Sequence, residues 1–416
     1  MANTNNILRN FRYGDKVIWI IYLLLCAISV VTLFSASSTL AYGSQEYTAP
    51  IIRHTLFIIG GIIVAGFVYF IPQQIIRIVG YLSLIVSIIL LFGLLLYGAR
   101  HHGAARWINL GLFQFQPSEI AKISLLVVVA DLLSRIKEKE DEKKYFLIIL
   151  GLTALVCGLI MVDNLSTAIL LAGTVFLMMF LAQINWKYLV GIILVIGVVG
   201  FSGFKIAQKM VDNHYQFSGA FRRVPTWVGR IESAQEANND PEAKFERDRE
   251  GNYQAYYSQL AIARGGKSPL GVLPGNSVER DYLPQAFADY IYAIIVEESG
   301  IIGAVFVIIL YFLILFRGGM LAYKTESSYT AYLATGLAIL LTFQAIISMI
   351  VVVGIITTGQ PLPIISRGGT SAIITSVYFG ILLGISRVQN GKQIAAEQVR
   401  QESEENIPIV DIDEVE

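Results

Sequence analysis

Val17-Ile-Trp-Ile-Ile-Tyr-Leu-Leu-Leu-Cys26-Ala-Ile-Ser-Val-Val-Thr-Leu-Phe34 is an unbroken run without one charged side chain, preceded by Lys16 and followed by Ser35-Ala36-Ser37-Ser38. Crossing a bilayer as a helix takes about 20 mostly apolar residues. The basic Arg9, Arg12 and Lys16 before the run and the small residues after it also resemble a secretory leader. An apolar run of about 18 residues exceeds a usual leader core, however. We read it as a retained first membrane span.

Similar runs recur near residues 54–71, 78–97, 117–134, 145–162, 166–183, 187–206, 288–316, 328–353 and 365–386. The reading is an all-α polytopic membrane protein with about ten transmembrane helices. Only Asp163-Asn164-Leu165-Ser166 separates the fifth run from the sixth. Two tight spans suit that length better than one re-entrant hairpin. Composition agrees: of 416 residues, 55% are apolar and 15% charged, against roughly 25% charged in a soluble protein. Mean hydropathy is +0.62.

Lys+Arg and Asp+Glu number 31 each, so net charge points to no partner, and no nucleic-acid partner is expected. Cys26 and Cys157 lie in apolar runs and read as small buried hydrophobes. With four histidines and no zinc-type spacing, no metal site is expected from side-chain spacing. No P-loop or nucleotide-binding domain is present.

The distribution of positive charge predicts orientation. Residues 1–16, the Arg135–Lys144 loop, Arg317, Lys324, Arg387 and Lys392 fall on one side of a ten-span chain, the cytoplasmic side, with both termini. Residues 17–387 form the membrane domain, and 388–416 read as a disordered acidic cytoplasmic tail. The opposite side receives a large loop near 207–287, which holds Arg222, Arg223, Arg230, Arg247 and Arg249. That is too long for an idle connector. Stretches such as Tyr253–Ile262 predict short amphipathic helices on the outer membrane face.

Ionisable residues in such a fold mark candidate sites, and here they gather at the outer ends of the spans. The first cluster is Gly103-Ala-Ala-Arg106-Trp107-Ile108, then Phe115-Gln-Pro-Ser-Glu119-Ile-Ala-Lys122. Glu119 and Lys122 share a helix face, either as an ion pair sealing the bundle or as the wall of a polar cavity. The second is Tyr282-Leu-Pro284-Gln-Ala-Phe-Ala-Asp289-Tyr290, with Glu297-Glu298 deeper. Asp289 reads as a carboxylate complementing a helix dipole or as a functional group; the glutamates read as makers of helix contacts. The third is Gly359-Gln-Pro361-Leu-Pro363-Ile-Ile-Ser366-Arg367-Gly368-Gly369-Thr-Ser371. Its prolines and glycines forbid regular helix, leaving a tight turn or, with Arg367 and exposed amides, a place for an anion.

Taken together, these clusters resemble the SEDS (shape, elongation, division and sporulation) family of membrane glycosyltransferases, over roughly Gly14 to Arg387. The similarity rests on Gly103–Ile108, Phe115–Glu119, Tyr253-Gln254 with Ser258–Gly266, Leu283–Tyr290 and Leu362–Ser371. Gly275-Asn276-Ser277-Val278 and Tyr282-Leu-Pro284 resemble division-type more than elongation-type members. Several positions depart from the family pattern. Gln285 stands where the family has Glu, Phe287 and Ala288 where it has His and Thr, Asn164 where it has Asp, and Arg367 where it has Tyr.

The resemblance implies polymerisation of lipid II into peptidoglycan strands at the division septum of the bacterial inner membrane. Asp289 would be the catalytic base, and Arg106, Lys122 and Arg367 would face the leaving pyrophosphate. Glu119, Ser366, Gly368 and Gly369 would complete the substrate site. A divalent cation (Mg or Mn) could share the pyrophosphate, without a dedicated cage. A single-span penicillin-binding transpeptidase and other division proteins are the implied partners. A lipid II flippase and a non-catalytic scaffold are the alternatives.

Overall fold

The computed structural model describes residues 14–36, 49–97, 108–109, 114–215, 217, 221, 223–239, 253–283, 286–354 and 359–405. Each of the ten apolar runs forms a helix: α1 (Lys16–Ala36), α2 (Ala49–Phe70), α3 (Gln73–Tyr97), α4 (Pro117–Ser134), α5 (Lys139–Met161), α6 (Leu165–Leu181), α7 (Trp186–Asp212), α10 (Ile291–Lys324), α11 (Ser328–Val352) and α12 (Thr370–Glu405). Between α7 and α10 lie α8 (Val224–Asn239) and α9 (Tyr253–Gly265), short helices in the segment where they are expected. The strands β1 (Ile108–Asn109) and β2 (Gln114–Phe115) pair antiparallel just before α4.

Eight of the ten long helices have the length and hydropathy to cross a membrane on their own. The other two are α6, 17 residues long, and α4, whose 18 residues include Glu119, Lys122 and Asp131. Such a helix is tolerated at membrane depth only inside a protein shell. Accordingly α4 is buried along most of its length, beside α3 and α11.

Side-chain chemistry sorts the helix faces. In α1 the buried stripe holds Ser29, Thr32 and Ser35 beside Tyr22 and Leu25, while Ile20, Leu23, Val31 and Phe34 point outward. Lipid is as apolar as leucine, so small and polar residues go to the helix contacts. In α7 only Leu189 is buried, and Ile193–Ile196, Val198, Val199 and Phe201 are exposed apolar surface.

The ends of the bundle separate as the alternation of spans requires. Asp15 N–H donates to Ser386 Oγ at 2.9 Å, Arg317 pairs with Asp15 at 3.4 Å, and Lys392 pairs with Glu326 at 2.7 Å. We call this the terminal end. The opposite, loop end holds the β-hairpin, α9 and residues 359–369. One boundary moves: α12 continues to Glu405, so residues 388–405 of the expected disordered tail are helical. Beyond Gly391, Gln393–Glu405 lack glycine and proline and are rich in good helix formers. Residues 406–416 lie outside the described residues.

Candidate active site

Asp289 stands in the turn over residues 286–290 that leads into α10, and its side chain is half-buried. This turn is stitched to the 359–369 loop. Ser366 Oγ accepts the Leu362 N–H at 2.8 Å and donates to the Ala288 carbonyl at 2.6 Å. The Arg367 N–H donates to the Phe287 carbonyl at 2.9 Å, and the Arg367 guanidinium lies 5.1 Å from the centre of the Phe287 ring. Gly359 touches the Asp289 carboxylate so closely that a methyl group there would overlap it. The second and third clusters, about 70 residues apart in sequence, therefore meet at one carboxylate.

The loop itself is fixed from several helices. Tyr311 OH of α10 donates to the Pro363 carbonyl at 2.5 Å. Gln344 Nε2 of α11 donates to the Pro361 carbonyl at 3.1 Å, and Gln360 Nε2 donates to Thr167 Oγ1 of α6 at 2.8 Å. Ser29 of α1 lies 2.9 Å and 3.0 Å from the carbonyls of Ile364 and Ile365 and 2.8 Å from His54 Nε2. Ile364 has φ +67°, a strained value for a β-branched residue, which persists because its surroundings over-determine it. Gly368 and Gly369 carry the chain into α12, their carbonyls accepting from Ser371 N–H and Ala372 N–H at 2.8 and 3.2 Å.

Glu119 and Lys122 form the expected ion pair, at 2.8 Å. Lys122 is only 1% exposed, and its Nζ also donates to Gln344 Oε1 at 3.3 Å. The pair thus reaches the 359–369 loop through Gln344 and Pro361. Burial and the neighbouring Arg53 guanidinium pull Arg367 below the usual arginine value. Arg106 lies outside the described residues. Among the described residues no three His, Cys, Asp or Glu side chains gather to hold a metal ion.

Glu297 and Glu298 behave differently. Glu297, fully buried, accepts from Val278 N–H at 3.0 Å, from Glu279 N–H at 3.4 Å and from the Ser277 hydroxyl. Glu298 accepts from Gly275 N–H at 3.1 Å and from the Ser35 hydroxyl. Val272 N–H and Leu273 N–H donate to the Glu297 and Glu298 carbonyls, each at 2.9 Å. The helix is broken there at Gly300, φ +62°, and Gly271, φ +64°, fits against the break, where side chains would strike backbone. These glutamates dock the 265–283 segment, as the reading in terms of helix contacts expected.

Sequence reasoning missed Ser29, Thr167, Tyr311 and Gln344, and took Gly359 only as the start of the irregular stretch before the last span. The available signal was weak: a lone amide or hydroxyl in an apolar run must find a partner. Asn164, at the position where Asp is usual, caps α6, its Oδ1 accepting the Thr167 N–H at 3.2 Å.

Residues 15–391 match the FtsW/RodA/SpoVE family, described as cell cycle protein. A Nitrosomonas europaea protein named "Probable peptidoglycan glycosyltransferase FtsW" is 31% identical over 87% of this chain and 90% of its own. The peptidoglycan glycosyltransferase MrdB of Escherichia coli K12 is 30% identical over 72% and 76%. Among solved structures, a chain of a peptidoglycan synthase complex that coordinates polymerization and crosslinking aligns with TM-score 0.69 at 23% identity, over 90% of this chain and 98% of that one. The rod shape determining protein RodA of Thermus thermophilus aligns with TM-score 0.63 at 22% identity, over 90% and 97%. This chain is a multi-pass membrane protein that belongs to the FtsW/RodA/SpoVE, or SEDS, family.

Proposed function

We propose that the chain is a peptidoglycan glycosyltransferase that polymerises lipid II into glycan strands during cell division. The observation that carries this is the seating of Asp289 against Gly359, where the 286–290 turn and the 359–369 loop are joined beside Arg367. The acceptor is a sugar hydroxyl. It is a poor nucleophile until a base takes its proton, and Asp289 is that base. As the new C–O bond forms at the anomeric carbon of the donor, its bond to undecaprenyl pyrophosphate breaks. The pyrophosphate leaves with the bonding electrons, toward Arg367 and Arg106. Glu119 and Lys122, matched in charge, form the wall that holds the loop through Gln344. Ser366, Gly368 and Gly369 set the loop's shape around the head group.

The loop end faces outward and both termini are cytoplasmic, because the Lys- and Arg-rich links between spans cluster at the terminal end. Lipid II would enter from the outer leaflet, its tail remaining in the bilayer. The division role rests on Gly275–Val278 and Tyr282–Pro284. The partners are a single-span penicillin-binding transpeptidase, which would crosslink the strands, and other division proteins at the septum. The test is purified full-length protein with its cognate transpeptidase, given lipid II. Glycan strands are the expected product. Transbilayer movement of lipid II without strands would make the chain a transporter, and neither outcome would make it a scaffold.

A further inference from the structure

At the terminal end, opposite Asp289, a cavity of about 220 Å³ lies between the first turn of α3, the 325–330 segment that opens α11, and Ile385–Lys392 of α12. Its walls set the polar side chains of Gln73, Gln74, Arg77 and Lys392 among apolar surface. Gln73 has both amide atoms buried without a hydrogen-bond partner among the described residues, and the buried Tyr329 hydroxyl lies against the Arg77 side chain. Tyr329 is 2% exposed. Leaving such amide atoms unpaired carries their full desolvation cost, so a native site that keeps them has a ligand to meet.

The charges select its sign. Asp131 is shared by Arg77, at 3.1 Å, and Arg135, at 2.6 Å. The Arg77 guanidinium also lies 4.3 Å from the centre of the Tyr329 ring. Lys392 and Glu326, both exposed, pair at the mouth. Three cations against two carboxylates leave one positive charge in excess. Ile75, Ile78 and Val388 beside the cavity are exposed apolar surface.

We propose that this cavity binds one anionic phospholipid. Its phosphodiester would lie against Arg77, its headgroup hydroxyls against Gln73 and Tyr329, and its acyl chains along Ile75 and Ile78. One negative charge, several hydrogen-bonding groups and two apolar tails match what the walls offer, and basic pockets between spanning helices take such head groups. The membrane-spanning fold is the only premise; the site shares no residue with the glycosyl-transfer machinery.

The test uses full-length protein in detergent, with lipid retention read by native mass spectrometry. Wild type is expected to retain phosphatidylglycerol over phosphatidylcholine by about tenfold or more. The double variant Gln73→Leu/Tyr329→Phe, which replaces polar groups of the cavity by apolar ones of similar shape, is expected to fold with wild-type thermal stability and to lose that preference. Equal retention of the two lipids by wild type, or an undiminished preference in a folded double variant, would overturn the proposal. Inorganic phosphate alone should give no thermal stabilisation. Stabilisation equal to that by phosphatidylglycerol would show an anion site without a lipid and would also overturn it.

Discussion

Asp289 and Glu297 are carboxylates in neighbouring parts of the chain, and the structure treats them in opposite ways. Glu297 is 0% exposed and receives two backbone N–H groups and a hydroxyl. Asp289 is half-buried at the rim of a loop, with a glycine pressed against it, in a turn whose Phe287 ring carries the Arg367 guanidinium. A carboxylate enclosed by donors serves as a fastening. A half-buried carboxylate at the edge of a loop has room to meet a substrate. Residue type does not tell a strut from a reactive group; the surroundings do.

The largest expected effect falls on Asp289. Asn keeps the shape but cannot accept a proton, and a positioned base contributes typically ~10²–10⁴-fold. Asp289→Asn should therefore remove nearly all strand synthesis while membrane insertion and thermal stability stay at wild-type values. Synthesis at the wild-type rate would make Asp289 a helix-dipole partner like any other and erase the contrast with Glu297.

Next comes the Glu119–Lys122 pair, which has the burial of Glu297 but lies near the Asp289 loop. Removing one member leaves the other charge buried, at a cost of ~3–5 kcal/mol. Glu119→Ala and Lys122→Ala should each lower stability by that order, and the double variant by less than the sum. A double-mutant cycle on protein unfolded from detergent measures it. Additive losses would mean that Lys122 depends on Gln344 rather than on Glu119.

These cases show what was legible in the sequence. Apolar runs of spanning length gave all ten long helices, because a bilayer imposes the length directly. The Glu119–Lys122 contact follows from spacing within one helix. The partners of the 359–369 loop do not. Ser29, Thr167, Tyr311 and Gln344 come from four different helices, and nothing local marks which long-range contact each will make. Gly359 was legible as part of an irregular stretch, but not as the residue whose lack of a side chain leaves room for Asp289. The helical extension to Glu405 was hidden by acidic composition, which resembles disorder although its residues favour helix.

Glu297→Ala should act on stability alone. A hydrogen bond to a charged acceptor is worth roughly 1.5–3 kcal/mol, and the loss should appear as a lower melting temperature and faster proteolysis within 266–283. Strand synthesis per folded molecule should be unchanged. Loss of synthesis at an unchanged melting temperature would move Glu297 into the reaction and reverse its relation to Asp289.

The smallest effect belongs to Glu279, which stands between the two extremes: buried like Glu297, but fastened by one cation, Arg264, at 3.2 Å. Burial pushes its carboxyl above the ordinary 4.5; Arg264 opposes this, and the Glu297 charge adds to it. The folded state therefore holds the Glu279 proton to higher pH than the unfolded chain does. Where the folded state binds more protons, stability falls as pH rises. The contribution of protonated Glu279 is fully present below the unfolded value and is lost as pH rises through the folded one. Melting temperatures of wild type and Glu279→Gln, compared from about pH 4 to about pH 7, isolate this group. The glutamine variant cannot ionise, so wild type should lose stability relative to it as pH rises through that window. A relative gain for wild type would mean that the Arg264 contact outweighs burial and that Glu279 fastens the segment as a carboxylate.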